Sequence, residues 1–193
     1  MNLSSTSYSQ ETFKNLNLPK QNLSFKEFSD CIFKSCDFSE CNLASSSFID
    51  CQFIDCDLSN VKFDGCSLKE VVFEKCKLMG IVFKDINPFL LSWTFKNCRI
   101  EFCNFSGLKM KNSQFLDCLI KETDFINADL EKANFSACDL KASIFQDSNL
   151  EKANFIGAKN YYIDPTQNKL KGAKFNQPEV LALLAKFGLD IKP

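Results

Sequence analysis

The stretch Phe125-Ile126-Asn127-Ala128-Asp129-Leu130-Glu131-Lys132-Ala133-Asn134-Phe135-Ser136-Ala137-Cys138-Asp139-Leu140 decides how the chain is read. Its large apolar residues fall on every fifth position. The same beat runs downstream through Phe145, Leu150 and Phe155, and upstream through Ile120, Phe115, Met110, Phe105 and Ile100 to Phe95. Beyond one interruption it continues from Phe83 back to Leu23. Two residues before each of these sits a second, mostly small residue, such as Cys31, Ser46, Cys51, Ala128 or Ala133. A period of five fits neither the 3.6 of an amphipathic helix nor the 2 of a strand. A fixed repeat of this kind predicts a solenoid, whose turns bury their inner faces only by stacking on one another.

From Phe95 to Phe155 the fifth residue alternates between Phe and an aliphatic side chain. Four five-residue sides closing a coil of twenty explain this: two opposite sides carry Phe columns and the other two carry aliphatics. The 26 repeats between Leu23 and Phe155 then make 6.5 coils. At ~4.8 Å per coil that is a rod of roughly 31 Å with a filled centre.

Composition narrows the chemistry. The chain has 193 residues, 21 Phe, 11 Cys, no His and a net charge of −1. Without imidazole there is no triad base and no histidine metal ligand. All eleven Cys (31, 36, 41, 51, 56, 66, 76, 98, 103, 118 and 138) lie two before a fifth residue, and none forms a Cys-x-x-Cys pair. They read as small buried fillers, not as disulfides, zinc ligands or a cofactor site. So many free thiols point to a reducing compartment, here the cytoplasm. There is no charged-then-apolar leader and no span of ~20 apolar residues. No enzyme, cofactor, metal or membrane role is expected.

The chain divides into an N-terminal cap (1–22), the repeats (23–160, with a break at 84–94) and a C-terminal module (161–193). At the break, Asn87-Pro88 signals a turn, and Phe89, Leu90 and Leu91 follow as contact residues or as a plug. After Asn160-Tyr161-Tyr162 the count dissolves, and Leu170 and Phe175 return to the last coil. Asn176-Gln177-Pro178-Glu179 then predicts the start of a short α-helix ending at Gly188. Val180, Leu183, Leu184, Phe187 and Leu189 give it more apolar surface than a cap needs, so the module is expected to join two copies.

Function is left to the outward residues, which stack in columns twenty apart. Asp30, Asp50 and Glu70 form one acidic column; Asp37 and Asp57 begin another, which Lys77 ends. Stacked acids ~4.8 Å apart repel and call for water, cations or a basic partner. Residues 1–90 hold 9 Lys against 12 acids, and residues 91–193 hold 14 Lys and Arg against 12 acids.

Segments such as Ala128-Asp129-Leu130-Glu131-Lys132 resemble the A(D/N)LXX signature of the pentapeptide-repeat family. The resemblance covers about three quarters of the chain. It implies an all-β fold, the right-handed quadrilateral β-helix. In size, in the mid-chain break and in the Gln177–Ile191 ending, the chain is similar to the quinolone-resistance (Qnr) and microcin-immunity group. That likeness implies a homodimer joined through the C-terminal module, shaped and charged like duplex DNA, that engages DNA gyrase or topoisomerase IV and binds no nucleic acid itself. The residues expected to meet that partner are Asp30, Asp50, Glu70, Asp37, Asp57, Phe89 and Leu90. The chain departs from the group in its uninterrupted repeats after Phe95 and in its weak acidity. An interaction scaffold for a different protein partner is the other reading.

Overall fold

In a computed structural model describing residues 3–87 and 91–192, the chain winds into a four-sided parallel β-solenoid. Strands of two or three residues pair with the strand one coil away in parallel register, as in Phe13↔Phe33↔Phe53↔Phe73. Partners lie twenty residues apart, which is the coil length the alternation required. Face I carries Tyr8, Phe28, Phe48 and Leu68, and later Met110, Leu130 and Leu150. Face II is lined by Phe at 13, 33, 53, 73, 95, 115, 135, 155 and 175. Face III carries Leu18, Phe38, Leu58, Leu78, Ile100, Ile120 and Leu140, and face IV carries Leu23, Leu43, Phe63, Phe83, Phe105, Phe125 and Phe145.

The coil turns its corners with one residue in each five. Along the regular coils the residue two after the inward one adopts the left-handed conformation, for example Asp30 (φ 53°), Asp50 (φ 52°), Glu70 (φ 51°) and Lys132 (φ 59°). This conformation costs ~1–2 kcal/mol for a residue with a Cβ. Hydrogen bonds between coils offset it, such as Asp30 N–H to Ile49 C=O (3.0 Å) and Ile32 N–H to Glu11 C=O (2.9 Å). The Asp or Asn before many inward residues accepts a hydrogen bond from the amide two positions on: Ser59 N–H to Asp57 (2.8 Å), Ser136 N–H to Asn134 (3.1 Å). That local turn is the physical content of the D/N in the repeat.

The core consists of stacked columns. Rings on face II sit 4.8–5.3 Å apart and within 13° of parallel. In the second half, the facing Phe105–Phe125–Phe145 column meets them edge-on (Phe115–Phe125, 5.8 Å and 89°). The two-column arrangement therefore holds there. In the first half the second aromatic column lies on adjacent face I instead (Tyr8, Phe28, Phe48), and it moves to face IV at Phe63. Every cysteine is free and buried. Cys36, Cys56, Cys76, Cys98, Cys118 and Cys138 share one column behind face III. The thiols donate to carbonyls one coil back, as in Cys41 to Leu18 (2.7 Å) and Cys76 to Phe53 (3.2 Å). Ser143 and Ser148 make the same bond to Ile120 and Phe125, which explains why Ser and Cys interchange there.

Two irregularities interrupt the register. At the break a single 3₁₀ turn, Phe83–Asp85, precedes Ile86, and the strand pairing steps by 22 (Phe73↔Phe95). Leu91 and Trp93 are buried here. The Trp93 ring lies against Phe83, Phe95 and Phe105, and its Nε1–H donates to Leu68 C=O (2.8 Å). Phe89 and Leu90 lie outside the described residues. At Asn160 the register steps by 18 (Phe145↔Ile163), and Asn160 turns outward while Tyr161 is buried.

The coils extend beyond 23–160. The segments Ser7–Ser9 and Thr12–Lys14, within the stretch expected to cap the rod, already pair as part of the first coil, over Leu3. Phe175 stacks on Phe155 (5.0 Å). From Phe13 to Phe175 there are eight coil steps, so the rod is about 38 Å long at ~4.8 Å each, longer than the 31 Å read from the repeats. The closing helix, Glu179–Phe187, is wound as 3₁₀ and not α, starting from Leu181 N–H to Pro178 C=O (3.0 Å). Asn176 does not cap it: its side chain binds Glu179 and accepts from Gly157 N–H (2.7 Å). Gly188 ends the helix in the left-handed conformation (φ 61°), as predicted.

Candidate protein-interaction surface

The corner positions project furthest from the rod, and one corner carries the acids singled out above. Asp30, Asp50 and Glu70 stand on successive coils along the edge between faces I and II. All three are exposed, and none forms a salt bridge with a described residue. Their left-handed backbones fix the direction of the side chains, so the column is rigid at its base. Asp37 and Asp57 stand on face III, with all of face II between them and this edge. Asp57 is already occupied: Lys77 sits 3.1 Å from its carboxylate. Burial pushes this carboxyl up, but hydrogen bonds from Ser59 and Lys77 outweigh it and leave it below the ordinary carboxylate range. The structure thus leaves one acidic column open and pairs half of the other internally.

Further along the same edge the sign reverses. Lys132 and Lys152 occupy the corner, and Lys109, Lys111, Lys169 and Lys171 lie on the adjoining face. Lys111 bridges Asp129 (3.4 Å) and Glu131 (2.8 Å). The bond to Glu131 raises the Lys111 pKa, and the same bond holds the Glu131 carboxyl below its usual range.

The helix residues expected to form a dimer contact divide into two sets. Val180 and Leu183 are half-buried, Leu183 against the rod, whereas Leu184, Phe187 and Leu189 are exposed. Exposed Leu181 and Ile191 extend that apolar surface. Lys186 clamps the helix to the rod through Asp164 (2.7 Å) and the Thr166 hydroxyl. The clamp holds the Asp164 carboxyl down to about 2.

Other surface features escaped the sequence reading. Phe25 and Phe102 occupy corner positions and are 73% and 54% exposed. Their place two after an inward residue was the available signal, because any large side chain there must face solvent. On face IV beside the break, a groove of about 430 Å³ is lined by Asn60, Lys62, Asp64, Gly80, Val82 and Asp85. Gly80 is fixed there twice over: its φ is +67°, and a Cβ would stand 2.3 Å from Asn60 Oδ1.

Among the described residues no cluster of His, Cys, Asp and Glu is arranged to hold a metal. No described helix is long and apolar enough to cross a membrane.

The comparisons with known proteins agree on the scaffold. Structural similarity is found to a trypsin-treated form of QnrB1, a plasmid-mediated fluoroquinolone resistance protein. The TM-score is 0.67 at 17% identity, covering 94% of this chain and 100% of that one. Full-length QnrB1 aligns with a TM-score of 0.51 at 19% identity, covering 95% and 100%. HetL from Nostoc sp. strain PCC 7120, involved in heterocyst differentiation regulation, aligns at 0.55 and 12% identity, covering 88% and 87%. No curated protein matches the chain at significant similarity. At these identities the likeness speaks for the fold, a right-handed quadrilateral β-helix. The profile of the pentapeptide repeat region matches residues 26–99, 46–125 and 86–155, and on that evidence the chain belongs to the pentapeptide-repeat family.

Proposed function

We propose that this protein is a non-enzymatic binding rod that presents the Asp30–Asp50–Glu70 edge to the basic DNA-binding surface of a type II topoisomerase, DNA gyrase or topoisomerase IV. The supporting observation is the edge itself: three exposed carboxylates at coil spacing, on fixed backbone, with no ion pair to a described residue. A column of like charges is an unfavourable arrangement that a cationic surface relieves. The resemblance to the Qnr group supplies the identity of the partner. In this reading two rods join through Leu181, Leu184, Phe187, Leu189 and Ile191. Two lengths of about 38 Å then span roughly 22 base pairs at 3.4 Å each. Each outer end presents an acidic edge to one half of a two-fold-symmetric enzyme.

The test is a titration of purified protein into gyrase supercoiling and cleavage assays, with and without a fluoroquinolone. The wild type is expected to bind at low salt and alter the reaction. The triple variant Asp30→Lys/Asp50→Lys/Glu70→Lys is expected to fold and lose that effect, since exposed charges leave the core untouched. Wild-type protein that neither binds nor changes either assay refutes the proposal. Phe187→Arg tests the end-to-end contact separately and should give a monomer at micromolar concentration.

A further inference from the structure

We propose that two copies of the chain pair side by side and antiparallel along the edge between faces I and II, through acids of one copy meeting lysines of the other. This goes beyond the partner reading above and uses the same edge for a different contact.

The observation is a reversal of sign about the break. The solvent-facing residues of face I and its corner hold Glu27, Asp30, Asp50 and Glu70 against Lys26 and Lys69 before the break, a net of −2. After it, the same columns hold six lysines (109, 111, 132, 152, 169 and 171) against Asp129, Glu131 and Glu151, a net of +3. A partner of one sign would suit one half and be repelled by the other.

The spacing matches as well as the sign. One coil, that of Phe95, separates the coil of Glu70 from that of Asn112. Counted from it, Glu70, Asp50 and Asp30 lie one, two and three coils to one side, and Asn112, Lys132 and Lys152 one, two and three to the other. A second copy turned about a two-fold axis through that coil sets Asp50 opposite Lys132 and Asp30 opposite Lys152, each pair occurring twice. This is the self-complementary arrangement an isologous contact requires. Asp30, Asp50, Lys132 and Lys152 are all exposed, with no salt bridge to a described residue. So narrow and polar a contact belongs to the weak, transient class. It would cover the acids offered to a topoisomerase, so self-pairing and partner binding would compete.

The experiment uses the full-length chain alone, which keeps its outcome separate from that of the topoisomerase reading. Sedimentation velocity over a concentration series is compared at about 30 mM and about 0.5 M salt. An apolar end-to-end contact through the helix persists at both and sets the baseline. The lateral step is expected at low salt and should weaken at least about tenfold at high salt, as exposed charge pairs are screened. Asp30→Lys/Asp50→Lys/Glu70→Lys carries lysine on both halves of the edge, and Lys132→Glu/Lys152→Glu carries acid on both. Each should lose the step alone, and an equimolar mixture should regain it as a mixed pair. A zero-length carbodiimide cross-link between Asp50 and Lys132 of the wild type checks the register without any variant. Within one chain these residues are four coils, ~19 Å, apart, so the link must be intermolecular. Association unaffected by salt, no association at all, a mixture that does not recover it, or cross-links in another register would each overturn the proposal.

Discussion

Phe125→Ala probes the four-column core most directly. Phe125 is fully buried, stacked on Phe105 (5.2 Å, 4°) and Phe145 (4.9 Å, 7°), and edge-on to Phe115 (5.8 Å) and Phe135 (5.7 Å). Truncating a buried Phe costs ~3–5 kcal/mol, more where the surroundings cannot relax into the cavity. Here they are pinned: Phe125 N–H donates to Ile144 C=O (2.9 Å), Phe105 N–H to Asp124 C=O (2.8 Å), and both neighbours in the column are held by ladders of their own. Four ring contacts are lost as well, each worth ~0.5–1.5 kcal/mol beyond area in favourable geometry. The upper end of the range, about 5 kcal/mol, is therefore expected. Phe175 provides the internal comparison. It stacks on Phe155 (5.0 Å) and meets Tyr161, but it is only half-buried at the rod's end. Phe175→Ala should cost about half as much, ~2 kcal/mol, by the burial it lacks. Urea unfolding followed by far-UV circular dichroism measures both, with the slope against denaturant checking that the transition stays cooperative. A loss below ~1 kcal/mol for Phe125→Ala, or equal losses at the two sites, would refute the packing argument.

Burial pushes the Cys41 thiol up to about 11 and those of Cys51, Cys66 and Cys103 up to about 12, so native protein should react slowly with a thiol reagent and denatured protein should titrate all eleven. Phe25→Gly removes a Cβ from a left-handed corner (φ 58°) where the ring packs on little, and should raise stability by up to ~1 kcal/mol, the strain relieved less the entropy of glycine; thermal unfolding decides the sign. The Lys186–Asp164 clamp acts through a carboxyl held down to about 2, below its unfolded value of ~3.9. Its contribution is therefore complete above pH ~4 and is lost as the pH falls toward 2. Limited pepsin digestion across that window should release the helix early, whereas Asp164→Asn should release it at all pH values.

The scaffold was legible because its inner positions admit few residues. Phe at every tenth position from 95 to 155 reports a coil of twenty, since Phe columns on two opposite faces and aliphatic columns on the other two produce that alternation. The first-half switch of the aromatic column from face I to face IV was less visible, because Phe38 and Leu68 break the alternation there. The first coil was harder to read because Phe13 and Leu18 keep the beat while Glu11 and Leu16 stand where a small residue accompanies it elsewhere. The Trp93 position escaped notice for a related reason. It stands two before Phe95, where a small residue is the rule, and only the two extra residues of the break make room for an indole. On the surface, the columns could be read from numbers twenty apart, but not which acids are already paired. The sequence already set Lys77 one coil after Asp57 in the same column, and the structure adds the 3.1 Å contact between them. The position of Asp57 just before an inward residue places it beside Lys77, whereas Asp50, at a corner, forms no ion pair with a described residue.

That contrast locates where such a rod can carry information. Inward positions are committed to packing, and the position before each inward residue is frequently committed to a local turn through Asp or Asn. Corner residues face solvent and need only tolerate a positive φ. The edge between faces I and II uses that freedom to separate charge: Asp30, Asp50 and Glu70 on one side of the break, Lys132 and Lys152 on the other. The edge between faces III and IV mixes Lys20, Glu40, Asn60, Gly80, Phe102 and Glu122 with no run of one sign, and Lys20 and Glu40 already bridge each other (3.6 Å). Of these two edges, only the one between faces I and II offers a run of one sign.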